Sequence, residues 1–282
     1  MAIQFEKPQP LMVGDKAYYT LSSYDPVQVK VTVPLVTDAD VTFALATLLA
    51  QMEATPEQLS DHEWFAQHFP GLESTDALVE QIGLELEQMN MQFAEQQKID
   101  QCRAEITRRL NQSVPAMHLA RVRESVRAQF EQSLAMDGIT LTAFLARSGA
   151  SMAQVEQMLD EQARASAEEG AALDAFARER KLAVSAEELG DLLGVGPEDA
   201  KDIIAQARAA GQYDDLMDGA LRMKALAAVV SECDCTYHHE TEEEVRERLA
   251  AAAQLRGQYA GTDGAAGNAP QGSGNASGLH LV

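Results

Sequence analysis

The sequence predicts a mainly α-helical, elongated protein with a small β element at its N-terminal end. Apolar residues recur at steps of three and four along most of the 282-residue chain, which is the spacing of one helix face. Aromatic residues make up only 5% of the chain and hydrophobic residues 46%, so its cores must consist mainly of Leu, Ala, Val and Met. Helix packing suits that composition better than a β-sandwich does.

Residues 1–36 are predicted to form a β-hairpin or an extended element. Val27–Val33 alternates apolar and polar residues, and Ala17–Leu21 is rich in aromatic residues. Asp25 and Pro26 between these two segments indicate a turn. A lone hairpin is only marginally stable in water, so this element must pack on the helices or on a partner.

Residues 37–256 are predicted to be helical, and their longest helix runs from Ser74 or Thr75 to Gln112. At 1.5 Å per residue this helix is on the order of 55 Å long, too long to be covered by one small core. Three shorter elements come before it: a helix capped by Asp38 and ending near Glu53, a short helix at Thr55–Pro56, and an aromatic segment over residues 62–71.

Turn and capping residues divide the remaining helices. Pro115 ends the long helix, because Pro cannot continue the hydrogen-bond ladder. The later boundaries lie at a Gly turn or a capping Ser or Thr: Asp137–Gly138, Thr140, Ser148–Gly149, Ser151, Ser185, Gly194–Pro197 and Gly211. A charged helix over Glu240–Arg256 and a disordered tail over residues 257–282 are predicted to follow.

Charge and hydropathy exclude several classes of function. The formal charge of −22 comes from 44 acidic and 22 basic residues, and such a surface repels a phosphate backbone. No apolar run reaches the roughly 18 residues of a membrane span, and the N-terminal residues lack the pattern of a secretory signal. Three cysteines do not make a disulfide framework. We therefore predict a cytoplasmic protein that binds neither nucleic acid nor membrane.

Cys233, Cys235, His238 and His239 form the only dense set of metal-ligand types in the sequence. Thiolates and imidazoles suit zinc. Residues two apart in a strand point the same way, however, while adjacent histidines point apart. The set is therefore either a metal site or a solvated, part-buried strand end.

No residue pattern indicates a catalytic site or a cofactor. Acidic pairs such as Glu187–Glu188 are typical of helix surfaces, and no nucleophile elbow is present. The Gly194–Val195–Gly196 segment is followed by acidic residues, the wrong charge for a phosphate cradle. We predict no cofactor and no catalytic residue.

The order of helix breaks is the basis of a family resemblance. Ser74–Leu78 opens the long helix, Val114–Pro115 breaks it, Met136–Ile139 forms the next turn, and Ala150–Met152 begins the following arm. In this order the chain from about Leu59 to Val230 resembles the region of the bacterial chaperone trigger factor that follows its isomerase domain. The resemblance implies a helical region that holds polypeptide clients.

Two features of trigger factor have no counterpart in this sequence. Trigger factor docks on the ribosome through a basic loop of the type Gly-Phe-Arg-x-Gly, and nothing like it occurs here. Residues 1–36 are also too few to build its prolyl isomerase domain. The resemblance therefore implies the client-holding region alone.

Methionine-rich apolar helix faces are the candidate binding surface. Met is flexible and polarizable and recurs on promiscuous binding surfaces. We expect core packing to account for most of the methionines on the helices, but long arms cannot bury every apolar residue. The candidate polypeptide-binding residues are Phe130, Leu134, Met136, Phe144, Leu145, Met217 and Leu221.

The predicted function is ATP-independent chaperoning, in which apolar helix faces hold unfolded or nascent polypeptides. One alternative is a peptidyl-prolyl isomerase of the trigger factor type, and another is a helical adaptor with one fixed partner. A chaperone of the SurA kind is disfavoured by the missing signal segment. The sequence predicts neither the clients nor the oligomeric state.

Overall fold

A computed structural model describes residues 7–14 and 16–260. Within these residues the chain is mainly helical, and this confirms the predicted fold class. The strands are β1 (Leu11–Val13), β2 (Lys16–Tyr18), β3 (Gln28–Val33) and β4 (Asp234–His239). The α-helices are α1 (Asp38–Gln51), α2 (His62–His68), α3 (Thr75–Arg108), α4 (Ala116–Met136), α5 (Leu141–Ser148), α6 (Met152–Glu179), α7 (Ala186–Leu193), α8 (Pro197–Ala209), α9 (Tyr213–Glu232) and α10 (Glu242–Ala260). A 3-10 helix (Pro56–Ser60) follows α1. None of the described helices combines the length and hydropathy that a membrane span requires.

The chain divides into two compact units. The first unit comprises Met1–Val31 and Met91–Tyr237, and the second comprises Thr32–Asn90 and His238–Val282. Their boundaries fall within β3, α3 and β4. The domain boundaries predicted at residues 36 and 256 stay predictions.

The two strands predicted near the N-terminal end do not pair with each other. β2 forms an antiparallel hairpin with β1, and β3 pairs with β4. The N–H of Asp234 donates to the carbonyl of Val27 and the N–H of Glu240 to that of Val33, so β3 and β4 run parallel. The alternation in β3 predicts a strand, but it carries no information about a partner so far along the chain.

The segment that follows β2 lies against the end of α3. Leu21 and Leu110 form an isolated β-bridge. Backbone hydrogen bonds of 2.8 and 3.0 Å flank this bridge. α3 therefore ends at Arg108 and not at Gln112 as predicted, because its last predicted residues pair with this segment.

Most predicted helix starts are confirmed. Ser151 and Ser185 each form a capping box at the start of α6 and α7, and the side chain of Thr140 caps α5. The predicted cap of α1 is wrong by one residue, because Thr37 and not Asp38 accepts the hydrogen bond. α10 extends four residues beyond its predicted end at Arg256. Residues 261–282 of the predicted tail lie outside the described residues.

α6 is the central helix of the first unit. Between residues 170 and 177 every side chain except that of Asp174 is buried. The neighbours that enclose this half of α6 come from four parts of the chain: Tyr19 and Leu21, Val27 and Val29, Cys102 and Ile106, and Ala225 and Val229. Asp174 accepts two hydrogen bonds of 2.8 Å from Arg222 on α9. The N-terminal half of α6 is buried on one side only, against α4 and α5.

Two smaller cores lie elsewhere among the described residues. In the first unit, α7, α8 and α9 pack around Leu189, Ile204 and Ala220. In the second unit, α1, α2 and the N-terminal part of α3 enclose six buried residues: Ala44, Leu48, Phe65, Phe69, Leu78 and Ile82.

Two helix glycines are expected to respond in opposite ways to replacement by alanine. A Cβ on Gly219 of α9 meets no atom within 4 Å, so Gly219→Ala should stabilise the protein by about 0.5–1 kcal/mol through helix propensity. A Cβ on Gly190 of α7 would lie 3.3 Å from the Ala200 Cβ and 3.3 Å from the Val195 carbonyl oxygen. Gly190→Ala should destabilise it by about 1–2 kcal/mol, because that backbone oxygen cannot yield easily. Urea unfolding of both variants checks this, and equal shifts would contradict it.

The hydrogen bonds of Glu244 at the start of α10 should persist at acidic pH. The carboxylate of Glu244 accepts hydrogen bonds from the Thr241 N–H (2.8 Å) and hydroxyl (2.9 Å), and also binds His238. These bonds, the backbone bond first, lower the pKa of Glu244 from its ordinary value of 4.5 to about 2. Since this pKa is depressed in the folded state, its contribution to stability is present above pH 4.5 and is lost as the pH falls through about 2.

Replacement of the capping threonine tests this assignment. In Thr241→Ala the pKa of Glu244 should rise but stay below its ordinary value, because the backbone N–H still donates. Thr47→Ala, which removes a hydroxyl bonded to the Phe43 carbonyl in α1, should leave that pKa unchanged. NMR titration of the carboxyl group measures both, and a wild-type value near 4.5 would contradict the assignment.

Candidate functional site

The helical arm of the first unit consists of α4, α5 and residues 152–167 of α6. Val126 of α4 packs against Val155, Leu159 and Ala163 of α6, which recur at steps of four on one helix face. Arg123 and Arg127 add ion pairs from α4 to acidic residues of α6. These contacts hold the two long helices of the arm side by side and leave their other faces exposed.

Three of the candidate residues lie inside the arm. Phe130, Phe144 and Leu145 are half-buried and pack against the core between α4 and α6. The rings of Phe130 and Phe144 meet edge to face with their centroids 5.5 Å apart. They join α5 to α4, so most of their apolar area contacts the arm itself.

The turn between α4 and α5 carries the other two arm candidates. Asp137 ends α4, Gly138 adopts the left-handed conformation with φ of 66°, and the N–H of Ile139 donates to the carbonyl of Leu134 (2.8 Å). At this turn Leu134 is 8% exposed, whereas Met136 is 81% exposed.

A shallow depression of about 370 Å³ lies at this end of the arm. We call this depression, together with the exposed side chain of Met136 at the same end of α4, the tip surface. The residues that line the depression are Glu131, Leu134, Ala135, Gly138, Ile139, Thr140 and Leu141. Sequence reasoning did not select Ile139 or Leu141 as site residues. An apolar residue directly after the glycine of a turn is the signal that could have indicated Ile139, and no comparable signal marks Leu141.

Met217 and Leu221 do not join the tip surface. Both are half-buried on α9, where Met217 packs against the core of α7, α8 and α9 and Leu221 against the core around α6. The structure therefore places the seven candidate residues in two separate groups, five on the arm and two on α9.

Most of the helix methionines are exposed, contrary to the expectation that core packing would account for them. Of the seven methionines that sequence reasoning placed on helices, six are at least 40% exposed: Met89, Met91, Met136, Met152, Met158 and Met223. A helical spacing shows that two residues share a face, but it does not show whether another element covers that face.

The tip surface offers apolar contact and no acid–base chemistry. Glu131 is the one ionisable residue that lines it. The possible metal site of the sequence analysis included His238 together with two cysteines. In the structure, the His238 Nε2 instead contacts the carboxylate of Glu244. Within residues 7–14 and 16–260 no group of three or more His, Cys, Asp or Glu side chains could hold a metal ion.

The family model described as the C-terminus of bacterial trigger factor protein matches residues 74–231. The match covers more than half of the 282 residues. The chain belongs to this trigger factor family. The predicted resemblance is confirmed, and with it a chaperone-type role, because proteins of the trigger factor family bind nascent or unfolded polypeptides in general.

Two other comparisons give little further detail. No curated protein matches the chain. A solved structure of trigger factor domains from Thermotoga maritima is 18% identical, covers 51% of this chain and 86% of its own, and has a TM-score of 0.37.

The Phe130–Phe144 contact should be necessary for the order of the trigger factor arm. Phe130→Ala is expected to lower the stability of the arm by about 1–3 kcal/mol, because it removes a half-buried ring and an aromatic pair. Hydrogen exchange should then increase in α5 and remain unchanged in α7–α9. Phe93→Ala, which removes a ring that is 57% exposed, is the matched control and should change little. Equal effects of the two substitutions would contradict this role of Phe130.

Proposed function

We propose that this protein is an ATP-independent chaperone that holds unfolded or nascent polypeptides through the tip surface of its arm. The observation that carries the proposal is the 81% exposure of Met136, which lies in the chain between the lining residues Ala135 and Gly138. A methionine that is 81% exposed makes few contacts within its own chain, so its apolar area is available to a partner.

The chemistry of the tip surface supports a promiscuous partner. Met has three rotatable bonds and a polarizable sulfur, so it adapts to side chains of different shape. The surface is shallow and carries a single carboxylate, so it lacks the directional groups that would select one ligand. Apolar segments of many sequences fit these requirements.

Methionines along the rest of the arm extend the same apolar character. Met117 is more than half exposed at the start of α4, and Met152 and Met158 are exposed near the start of α6. An extended polypeptide could contact several of these side chains in succession. Met217 and Leu221 are proposed as secondary contacts, because their half-buried positions on α9 offer less area.

The proposed setting is the cytoplasm, and it rests on the family alone. Binding and release need no nucleotide under this proposal, because weak apolar contacts dissociate rapidly without an energy source.

Charge at position 136 should impair the chaperone activity without harming the fold. Complete burial of an exposed Met side chain contributes about 1.5–3 kcal/mol, so Met136→Glu should weaken suppression of client aggregation several-fold. Met89→Glu alters a methionine of the second unit that is 47% exposed and is the matched control. Met136→Leu should retain the activity, since it keeps the apolar area. Light scattering of a chemically denatured client measures all three.

Two outcomes would reject the proposal. The tip surface is excluded if Met136→Glu suppresses aggregation as well as the wild type does while both melt at the same temperature. The chaperone activity itself is excluded if the wild type fails to slow aggregation at several-fold excess. A single tightly bound protein recovered in place of many weak clients would favour the adaptor instead.

A further inference from the structure

Helix α3 and strand β4 bring a dense set of reactive side chains together in the first unit. On α3 the residues lie at steps of three and four, and on β4 they lie at alternate positions, so each set occupies one face of its element. The two sets are Glu95, Lys98 and Cys102 on α3, and Cys233, Cys235 and Tyr237 at or near β4. The tip surface contains none of these residues.

Polar contacts fix the position of β4 against α3. The hydroxyl of Tyr237 donates a hydrogen bond to the carboxylate of Glu95. The Lys98 Nζ lies 3.7 Å from the Glu95 Oε2 and 5.9 Å from the centroid of the Tyr237 ring. The hydrogen bond to Glu95 raises the pKa of Tyr237 to about 12, so the phenol keeps its proton. The cysteines next to these residues are therefore held in a defined geometry.

The three thiols differ in their access to solvent. Cys102 is completely buried, with 0% of its surface exposed. Cys233 and Cys235 are half-buried and pack against the same core. Cys233 packs against the core that contains Cys102, and burial above all raises the pKa of the Cys102 thiol to about 12. An oxidant in solution therefore reaches Cys233 or Cys235 before it reaches Cys102, which is buried in the core that both contact.

We propose that Cys102 and Cys233 form a reversible disulfide when the protein meets a peroxide. The Cys233 sulfur takes one oxygen of hydrogen peroxide, so that the O–O bond breaks, one water leaves and a sulfenic acid forms. The Cys102 sulfur then attacks the Cys233 sulfur and the S–O bond breaks. The hydroxyl group leaves as a second water with the proton of the Cys102 thiol. A dithiol reductant reverses the bridge by thiol–disulfide exchange.

Geometry favours Cys102 over Cys235 as the partner. Side chains two residues apart on a strand are separated by roughly 7 Å, whereas the Cβ atoms of a disulfide lie about 3.8 Å apart. A bridge from Cys233 to Cys235 would thus require the chain to distort. Cys102 and Cys233 lie on different elements that pack in one core, so a bridge between them requires no such distortion of a single strand.

The bridge would join α3 to the end of α9. It closes a loop that contains α4–α9 and thus the whole arm, so it restricts the unfolded chain strongly. Oxidation should therefore raise the melting temperature of the first unit. The proposal does not depend on the chaperone function, because it involves none of the residues of the tip surface.

Non-reducing peptide mapping after treatment with hydrogen peroxide tests the bridge. The expected product is one pair of peptides cross-linked through Cys102 and Cys233. Its mass should be about 2 Da below the summed masses of the two reduced peptides, and dithiothreitol should separate the pair again. Cys235→Ser should retain the bridge and its higher melting temperature. Cys102→Ser should form no bridge and show no rise in melting temperature. Its Cys233 should remain as a sulfenic acid, which dimedone captures.

Three results would overturn the proposal. In the first, Cys233 of the wild type gives a dimedone adduct and no bridge forms. In the second, the bridge joins Cys233 to Cys235. In the third, the thiols remain reduced at a peroxide concentration that oxidises glutathione completely. If Cys102→Ser proves unstable, Cys102→Ala replaces it. The map of the wild type decides between the outcomes even without either variant.

Discussion

The burial of α6 between residues 170 and 177 is the constraint on which the first unit depends. This stretch is enclosed by α3, α9 and the segments on either side of Pro26, and such close approach from several directions requires small side chains. Gly170 and the alanines that follow it provide them; a Cβ at Gly170 would lie 3.2 Å from the guanidinium carbon of Arg222. Because the C-terminal half of α6 is held in this way, its N-terminal half can extend into the arm with support from α4 and α5 alone.

Sequence periodicity predicts this architecture well where the signal is local. The caps at Thr140, Ser151 and Ser185 depend on residues within one turn, and all three are confirmed. The pairing of β3 with β4 depends on a contact across most of the chain, so alternation in β3 could not predict it. The early end of α3 has the same cause, since the segment around Leu21 competes for its last residues.

The candidate site was predicted less completely than the fold. Sequence reasoning selected apolar residues by their type and spacing, which is why it included both Phe130 and Met136. Their surroundings separate them, because Phe144 and the α4–α6 core cover Phe130 while no described residue covers most of Met136. Exposure is a property of the packed arm, and the periodicity of a single helix does not contain it. For the same reason, sequence reasoning underestimated the number of methionines that are exposed.

The size of the tip surface sets the mode of binding that the proposed function requires. Complete burial of Met136 and one neighbouring apolar residue would contribute about 3–6 kcal/mol, before the entropic cost of association is subtracted. Since a dissociation constant of 1 mM corresponds to about 4 kcal/mol, a single contact at the tip is too weak to hold a client. A client must therefore contact several of the exposed methionines of the arm at once, and each additional contact then acts at a high effective concentration. A compact folded protein cannot present apolar segments to separate sites in this way, whereas an unfolded chain can. The same weakness of each contact lets a client leave as it folds, and the net charge of −22 on the whole chain opposes the association of two copies of the protein.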